Sequence, residues 1–174
     1  MGVEIERKFL LASDAWRAQA RDRTRMEQGY LGGERCSVRV RIEGDAAFLN
    51  IKSRELGARR LEFEQPLPLA DAQAMLAAFC PQRVQKWRHR VDSAPHVWEI
   101  DEFLGENAGL VVAEIELGAE DEPFARPHWL GAEVTDEARY YILSRYLSGK
   151  RFAEAVRGHW GIESMHWVLD VAFR

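Results

Sequence analysis

Val3-Glu4-Ile5-Glu6-Arg7-Lys8-Phe9-Leu10-Leu11 alternates apolar and charged residues, and that alternation decides the fold. Side chains of an extended strand point to opposite faces with a period of two, so Glu4, Glu6 and Lys8 share one face. The pattern recurs along the chain. Arg39 and Arg41 flank Val40, Lys52 follows Ile51, and Arg60, Glu62 and Glu64 alternate with Leu61 and Phe63. Lys86 and Arg88 flank Trp87, Glu99 and Asp101 flank Ile100, and Glu114 and Glu116 flank Ile115. Strands are expected near 3–11, 27–31, 36–43, 47–53, 59–66, 84–92, 97–103 and 110–117, with turns at Gly32-Gly33, Gly44-Asp45 and Gly57.

Three helices are expected among them. Ser13 or Asp14 caps one that runs to Arg23, and residues 70–79 form the clearest, stopped by Pro81. The third covers 136–148, with Asp136 as cap and Tyr140, Leu143 and Leu147 along one face. Many short strands with few helices point to an α+β chain built on an antiparallel barrel or sandwich.

The bulk properties bound the function. The 174 residues, 47% hydrophobic, suit one main core. A net charge of −4 argues against a coat for nucleic acid, yet leaves room for a local basic site for one small anion. No apolar run approaches the ~18 residues of a membrane span. Acids within the first eight residues argue against a signal peptide. Two cysteines, Cys36 and Cys80, make neither a disulfide framework nor a zinc site, so a reduced cytoplasmic setting is expected.

Two readings of the ionisable faces compete. They are the solvent faces of a sheet, or they point inward and line the lumen of a closed one. Ordinary solvent faces would also carry Ser, Thr, Asn and Gln, and here some strands present only bases and others only acids. A basic wall of Lys8, Arg39, Arg41, Lys52, Arg60, Lys86 and Arg88 suits a phosphate chain, because the planar guanidinium matches phosphate oxygens. The acids Glu4, Glu6, Glu62, Glu64, Asp101, Glu114 and Glu116 repel one another unless hard divalent cations, Mg2+ or Mn2+, bridge them to phosphate oxygens.

These residues resemble the CYTH superfamily, the triphosphate tunnel metalloenzymes. Glu4-Ile5-Glu6-Arg7-Lys8 matches the family's Glu-x-Glu-x-Lys signature, and further segments follow in order. They are Gln28-Gly29-Tyr30-Leu31, Val38-Arg39-Val40-Arg41, Ile51-Lys52, Arg60-x-Glu62-Phe63-Glu64, Lys86-x-Arg88 and Trp98-Glu99-x-Asp101. Ala113-Glu114-Ile115-Glu116-Leu117 and Trp129-Leu130-Gly131-x-Glu133-Val134-Thr135 complete the set, which covers roughly residues 1–147. The resemblance implies an eight-stranded antiparallel tunnel with flanking helices that binds a triphosphate inside. It implies that Glu4 and Glu6 help hold the metal and that Lys8 contacts phosphate. Arg39, Arg41, Lys52, Lys86 and Arg88 fall on the family's phosphate-binding positions, with Arg60 added. Glu62, Glu64, Asp101, Glu114 and Glu116 fall on its acidic positions, Glu114 and Glu116 looking most like metal ligands; Glu99 either points inward or pairs at the surface. Glu4, Glu6, Lys8, Lys52, Lys86 and Arg88 are the expected catalytic set. Asn50, His89 and Ile142 depart from the family pattern, which commonly has threonine, tyrosine and asparagine there.

The expected reaction is metal-dependent hydrolysis of inorganic tripolyphosphate to phosphate and diphosphate. Thiamine triphosphatase, nucleoside triphosphatase and adenylate cyclase stay open within the superfamily, as does a non-catalytic polyphosphate-binding module outside it. The expected partner is a small triphosphate, with neither nucleic acid nor membrane, and a homodimer through exterior strand faces fits the family.

The chain divides into a tunnel domain over 1–150 and a tail over 151–174. In the tail, Gly158-His159-Trp160-Gly161-Ile162-Glu163 and the run from His166 to Arg174 resemble a segment of the DDE transposases of bacterial insertion sequences, where Glu163 would match the third catalytic acid. The other two acids and their scaffold have no room here, so transposase activity does not follow. An insertion element appended to the gene explains the tail most simply. The ordinary alternative is an amphipathic helix that packs on the barrel through Trp160, Ile162, Trp167 and Leu169, with His159 and His166 in surface roles.

Overall fold

The computed structural model describes residues 2–32, 36–53 and 58–135. Nine strands and one α-helix occur among them: β1 Gly2–Leu11, β2 Ala20–Gly32, β3 Cys36–Glu43, β4 Ala46–Ser53, β5 Arg59–Leu67, α1 Leu69–Phe79, β6 Val84–Ser93, β7 His96–Phe103, β8 Val111–Glu116 and β9 Leu130–Glu133. The strands lie in the order β5-β4-β3-β2-β6-β7-β8-β1-β9, all antiparallel, and β5 pairs again with β1. That last pairing closes eight strands into the expected barrel. One edge of β1 is shared: residues 2–5 pair with β5, and β9 meets Phe9 and Leu11 further along.

Because the barrel interior takes the charged set of alternate residues, the main apolar core lies outside the wall. Ile5, Phe9, Trp98, Ile100, Ala113 and Ile115 project outward from β1, β7 and β8 and pack with Trp16, Leu117 and Trp129. The ring of Trp98 meets Phe9 and Trp129 edge-on, with centroids 5.6 and 5.7 Å apart. On the opposite flank α1 lays Ala72 and Leu76 over Val40, Ala47 and Cys80. Gly29 permits that close approach, since a Cβ there would overlap Cys80 and Leu76. The turn between β3 and β4 uses Gly44 at φ +57°, a conformation that favours glycine.

One expected element is replaced. The helix read over 14–23 is a single 3-10 turn, Ala15–Gln19, and β2 begins at Ala20 rather than near 27. Ladder pairing outweighs the weak helical spacing: residues 22–28 pair with β6 in unbroken register, and Arg23 and Arg25 stack on Trp87, at 4.5 and 5.6 Å from its ring centre. The helix expected at 136–148, the tail at 151–174 and the turn residues Gly33 and Gly57 lie outside the described residues. No helix among the described residues is long and apolar enough to cross a membrane.

Candidate active site

The register fixes which side chains share the lumen. Across β1 and β8, Glu6 opposes Glu116 and Lys8 opposes Glu114; β8 to β7 sets Glu114 against Glu99, and β7 to β6 sets Asp101 against Arg88. Around the other half, Arg39 opposes Asn50, Asn50 opposes Glu64, Lys52 opposes Glu62, and Arg60 returns to Glu4. Partners directly opposite in a ladder point to the same face. All fourteen predicted site residues therefore line one cavity, seven bases against seven acids, and Glu99 joins them.

Their surroundings differ with depth. Lys8, Lys86, Arg88, Asp101 and Glu114 are buried, none more than 9% exposed. Arg88 is the hub of this cluster. It forks onto Asp101 with two bonds of 2.7 Å, reaches Glu114 at 2.6 Å, and also contacts Glu99. Lys86 pairs with Asp101, and Lys8 pairs with Glu114 and lies 2.9 Å from Glu6. Below these groups the same inward face turns apolar, through Leu10, Val84, Phe103, Leu110, Val112 and Val134. Water is excluded there, so charge survives only by pairing. Burial alone would raise the Glu114 carboxyl, but Lys8, Arg88 and Lys86 hold it well below the usual glutamate range. The same contest leaves Asp101 low, because Arg88 and Lys86 outweigh its burial, and keeps Arg88 firmly charged against its own. Lys86 moves the other way: burial and the neighbouring Arg88 lower its ammonium.

Toward the other end the balance changes. Lys52 sits 2.6 Å from Glu4 and 3.3 Å from Glu62, and Arg60 reaches Glu6 at 3.0 Å. Glu116, solvent-exposed, has no basic partner among the described residues. Its partial burial and the like charges of Glu4, Glu6, Glu62 and Glu99 push its carboxyl above the usual range. Of these five carboxylates, Glu4, Glu6, Glu62 and Glu116 form a set of hard oxygen donors suited to a divalent cation. Among the described residues no three of them already converge as ligands do, because Lys8, Lys52 and Arg60 hold Glu4 and Glu6.

A third group lies on β2 to β5. Arg41 pairs with Glu64 at 2.8 Å, and Arg39 bonds Gln28 at 3.4 Å. The Nε atoms of Arg39, Arg41 and Arg60 are buried without a partner among the described residues. Three buried guanidinium donors left unsatisfied on β3 and β5 make a receptor for an anion. Asn50, Gln28 and Tyr30 share this wall; the sequence shows Gln28 and Tyr30 in a family-like segment and Asn50 as a departure from it, but the pattern of charged residues does not mark them as site residues. The signal for them was their place in the same alternation, Asn50 two residues before Lys52 and Gln28 opposite Arg41.

A family model for the CYTH domain matches residues 2–146, a span that holds every residue of this lumen. The chain belongs to the CYTH family. An inorganic triphosphatase from Acetivibrio thermocellus is 42% identical to this CYTH protein over 142 residues, 80% of this chain and 90% of that one. The crystal structure of another inorganic triphosphatase superposes with a TM-score of 0.57 at 30% identity, covering 81% of this chain and 92% of that chain. A 34-residue stretch is 62% identical to a protein of Escherichia coli O157:H7 that carries a transposase name; it spans 19% of this chain and 9% of that one.

Proposed function

We propose that the chain hydrolyses a triphosphate inside the barrel, inorganic tripolyphosphate above all, releasing phosphate and diphosphate. The observation that carries this reading is the exchange the lumen requires. Six of the seven bases are engaged by six of the seven acids, while Arg39 and Glu116 have no ion-pair partner among the described residues and three arginine Nε atoms stay unsatisfied. A triphosphate can take over the bases only when another positive charge takes over the acids. Glu4, Glu6, Glu62 and Glu116 would hold Mg2+ or Mn2+, which when bound neutralises phosphate charge and acts as a Lewis acid. Asp101 and Glu114 serve as counter-ions that keep Lys8, Lys86 and Arg88 charged and fixed, and Glu64 does the same for Arg41.

Preorganised bases need no rearrangement as charge develops on the phosphoryl oxygens, and this is their contribution to rate. Lys8, Lys86 and Arg88 contact the phosphate chain from one side, and Arg39, Arg41, Lys52 and Arg60 from the other. The oxygen of water bonds to a terminal phosphorus, the bond to the bridging oxygen breaks, and its electron pair leaves with the diphosphate. The arginine and lysine donors stabilise that leaving charge.

Purified protein should release phosphate from tripolyphosphate only when Mg2+ or Mn2+ is added, and Glu4→Gln or Glu6→Gln should lower turnover by about 100-fold or more. No turnover of any triphosphate with either metal would sink the reading. A panel with thiamine and nucleoside triphosphates, assayed for phosphate, diphosphate and cyclic nucleotide, ranks the substrates. The unpaired Cys36 and Cys80 suit a reducing cytoplasm. A homodimer would cover the exposed Val3, Leu61 and Phe63 of the outer wall, and light scattering in solution checks the mass. We treat 151–174 as adventitious: deletion of 154–174 should leave turnover intact.

A further inference from the structure

We propose that Asn50 is a positioning residue for the acids of β5, a role that rests on the triphosphatase reading above: its amide holds Glu62 ready for a divalent cation and Glu64 on Arg41. Asn50 is wholly buried in the middle of β4, on the face that carries Lys52 into the lumen. Its Nδ2 donates to Glu64 Oε2 at 2.6 Å and to Glu62 Oε1 at 3.2 Å. The two acids have separate basic partners. Glu64 Oε2 lies 2.8 Å from Arg41, and Glu62 Oε1 lies 3.3 Å from Lys52, which is itself 2.6 Å from Glu4.

One neutral nitrogen thus joins two ion-pair chains that would otherwise separate. Two carboxylates on adjacent inward positions of one strand repel each other, and each can relax onto its nearest base. A single NH2 group offers two protons from one atom, which a threonine or serine hydroxyl cannot do. The Oδ1 atom is buried without a partner among the described residues. An unsatisfied buried acceptor is costly, so the packing of β4 gains nothing from an amide at this position, and the two donated bonds are its evident purpose. With Glu62 tethered by Asn50, Lys52 can leave for phosphate without the carboxylate following it. Glu62 then remains beside Glu4, facing the incoming cation.

The test uses the full chain. Asn50→Leu keeps the volume and removes both donors; it is titrated with Mn2+ by calorimetry in the absence of substrate, and tripolyphosphate turnover is followed against Mn2+ concentration. Outer partners of metal-binding carboxylates are typically worth 10-fold or more in metal affinity. We expect Mn2+ to bind about tenfold more weakly and the half-activating Mn2+ concentration to rise by the same factor, with a smaller change in kcat at saturating Mn2+. Unchanged or tighter Mn2+ binding by the folded variant overturns the proposal. If the leucine variant does not fold, Asn50→Thr, with one donor, is measured in the same way: weaker Mn2+ binding supports the role and unchanged binding overturns it. A wild-type protein inactive on every triphosphate would instead defeat the functional reading, while the Mn2+ titration still decides the role of Asn50.

Discussion

Glu114 and Glu116 are two residues apart on the same strand and face the same lumen, yet their carboxyls are driven in opposite directions. Glu114 is enclosed by Lys8, Arg88 and Lys86, and its charge is compensated where water cannot reach. Glu116 faces other glutamates in partial contact with solvent, and its charge is compensated by no base among the described residues. The difference teaches that one barrel lumen contains two kinds of charge. The deep cluster is part of what holds the fold together. The acidic group toward the exposed end is left in deficit, and a bound cation would make up that deficit.

The contrast is most exposed to failure at the hub. Arg88→Ala leaves Asp101 and Glu114 buried without their main partner, and the unfolding free energy should fall by about 3–5 kcal/mol in urea titration. A fall below about 1 kcal/mol, the value of an exposed pair, would show that the deep cluster is as solvated as the other end. Arg60→Ala should do the reverse. It should cost less stability than Arg88→Ala, because Glu6 keeps Lys8 at 2.9 Å, yet weaken tripolyphosphate binding by about tenfold, near 1.4 kcal/mol, in calorimetry with metal present.

The pH dependence divides the same way. Glu114 has a depressed folded value, so its contribution to stability is complete above the ordinary glutamate value of about 4.3 and decays as pH falls through the depressed value. Glu116 has a raised folded value, so its contribution is favourable below the ordinary value and lost as pH rises through the raised one. Unfolding curves collected from pH 3 to pH 8 should therefore show an acid-side loss that survives Glu116→Gln unchanged. The smallest effect is that of Glu116→Gln at neutral pH. Relief of repulsion should stabilise the metal-free protein by less than about 1 kcal/mol, because water screens the site, while Mn2+ binding weakens.

Much of this contrast was legible before any coordinates. The strict alternation in 3–11, 36–43 and 84–92 gave β1, β3 and β6 nearly to the residue, because a strand whose two faces have different jobs carries its own register. The helix at 70–79 was found one residue short. What failed was local reading where pairing decides. Arg21 to Arg25 lack an apolar alternation, and only β6 makes them a strand. The four residues of β9 are too few for a period and are placed by β1 beyond a register shift. In the site, the ionisable side chains announced themselves, whereas Asn50 and Gln28 carry no charge and acquire importance from what faces them across the ladder. Which acids would be compensated and which left in deficit could not be read from a list of glutamates, since it depends on depth.

The pairing of β1 with β8 bears on synthesis. Lys8 and its buried partner Glu114 are separated by 106 positions in the chain. The start of β1 can meet β5 early, but the half that carries Lys8 must wait until β8, Val111–Glu116, has emerged and nearly the whole described chain is made. Such distant pairing is slow, because the entropy of closing a long loop is lost before any contact rewards it. No partial barrel can hold a triphosphate, so the appearance of activity in a refolding experiment marks the moment at which the last seam closes.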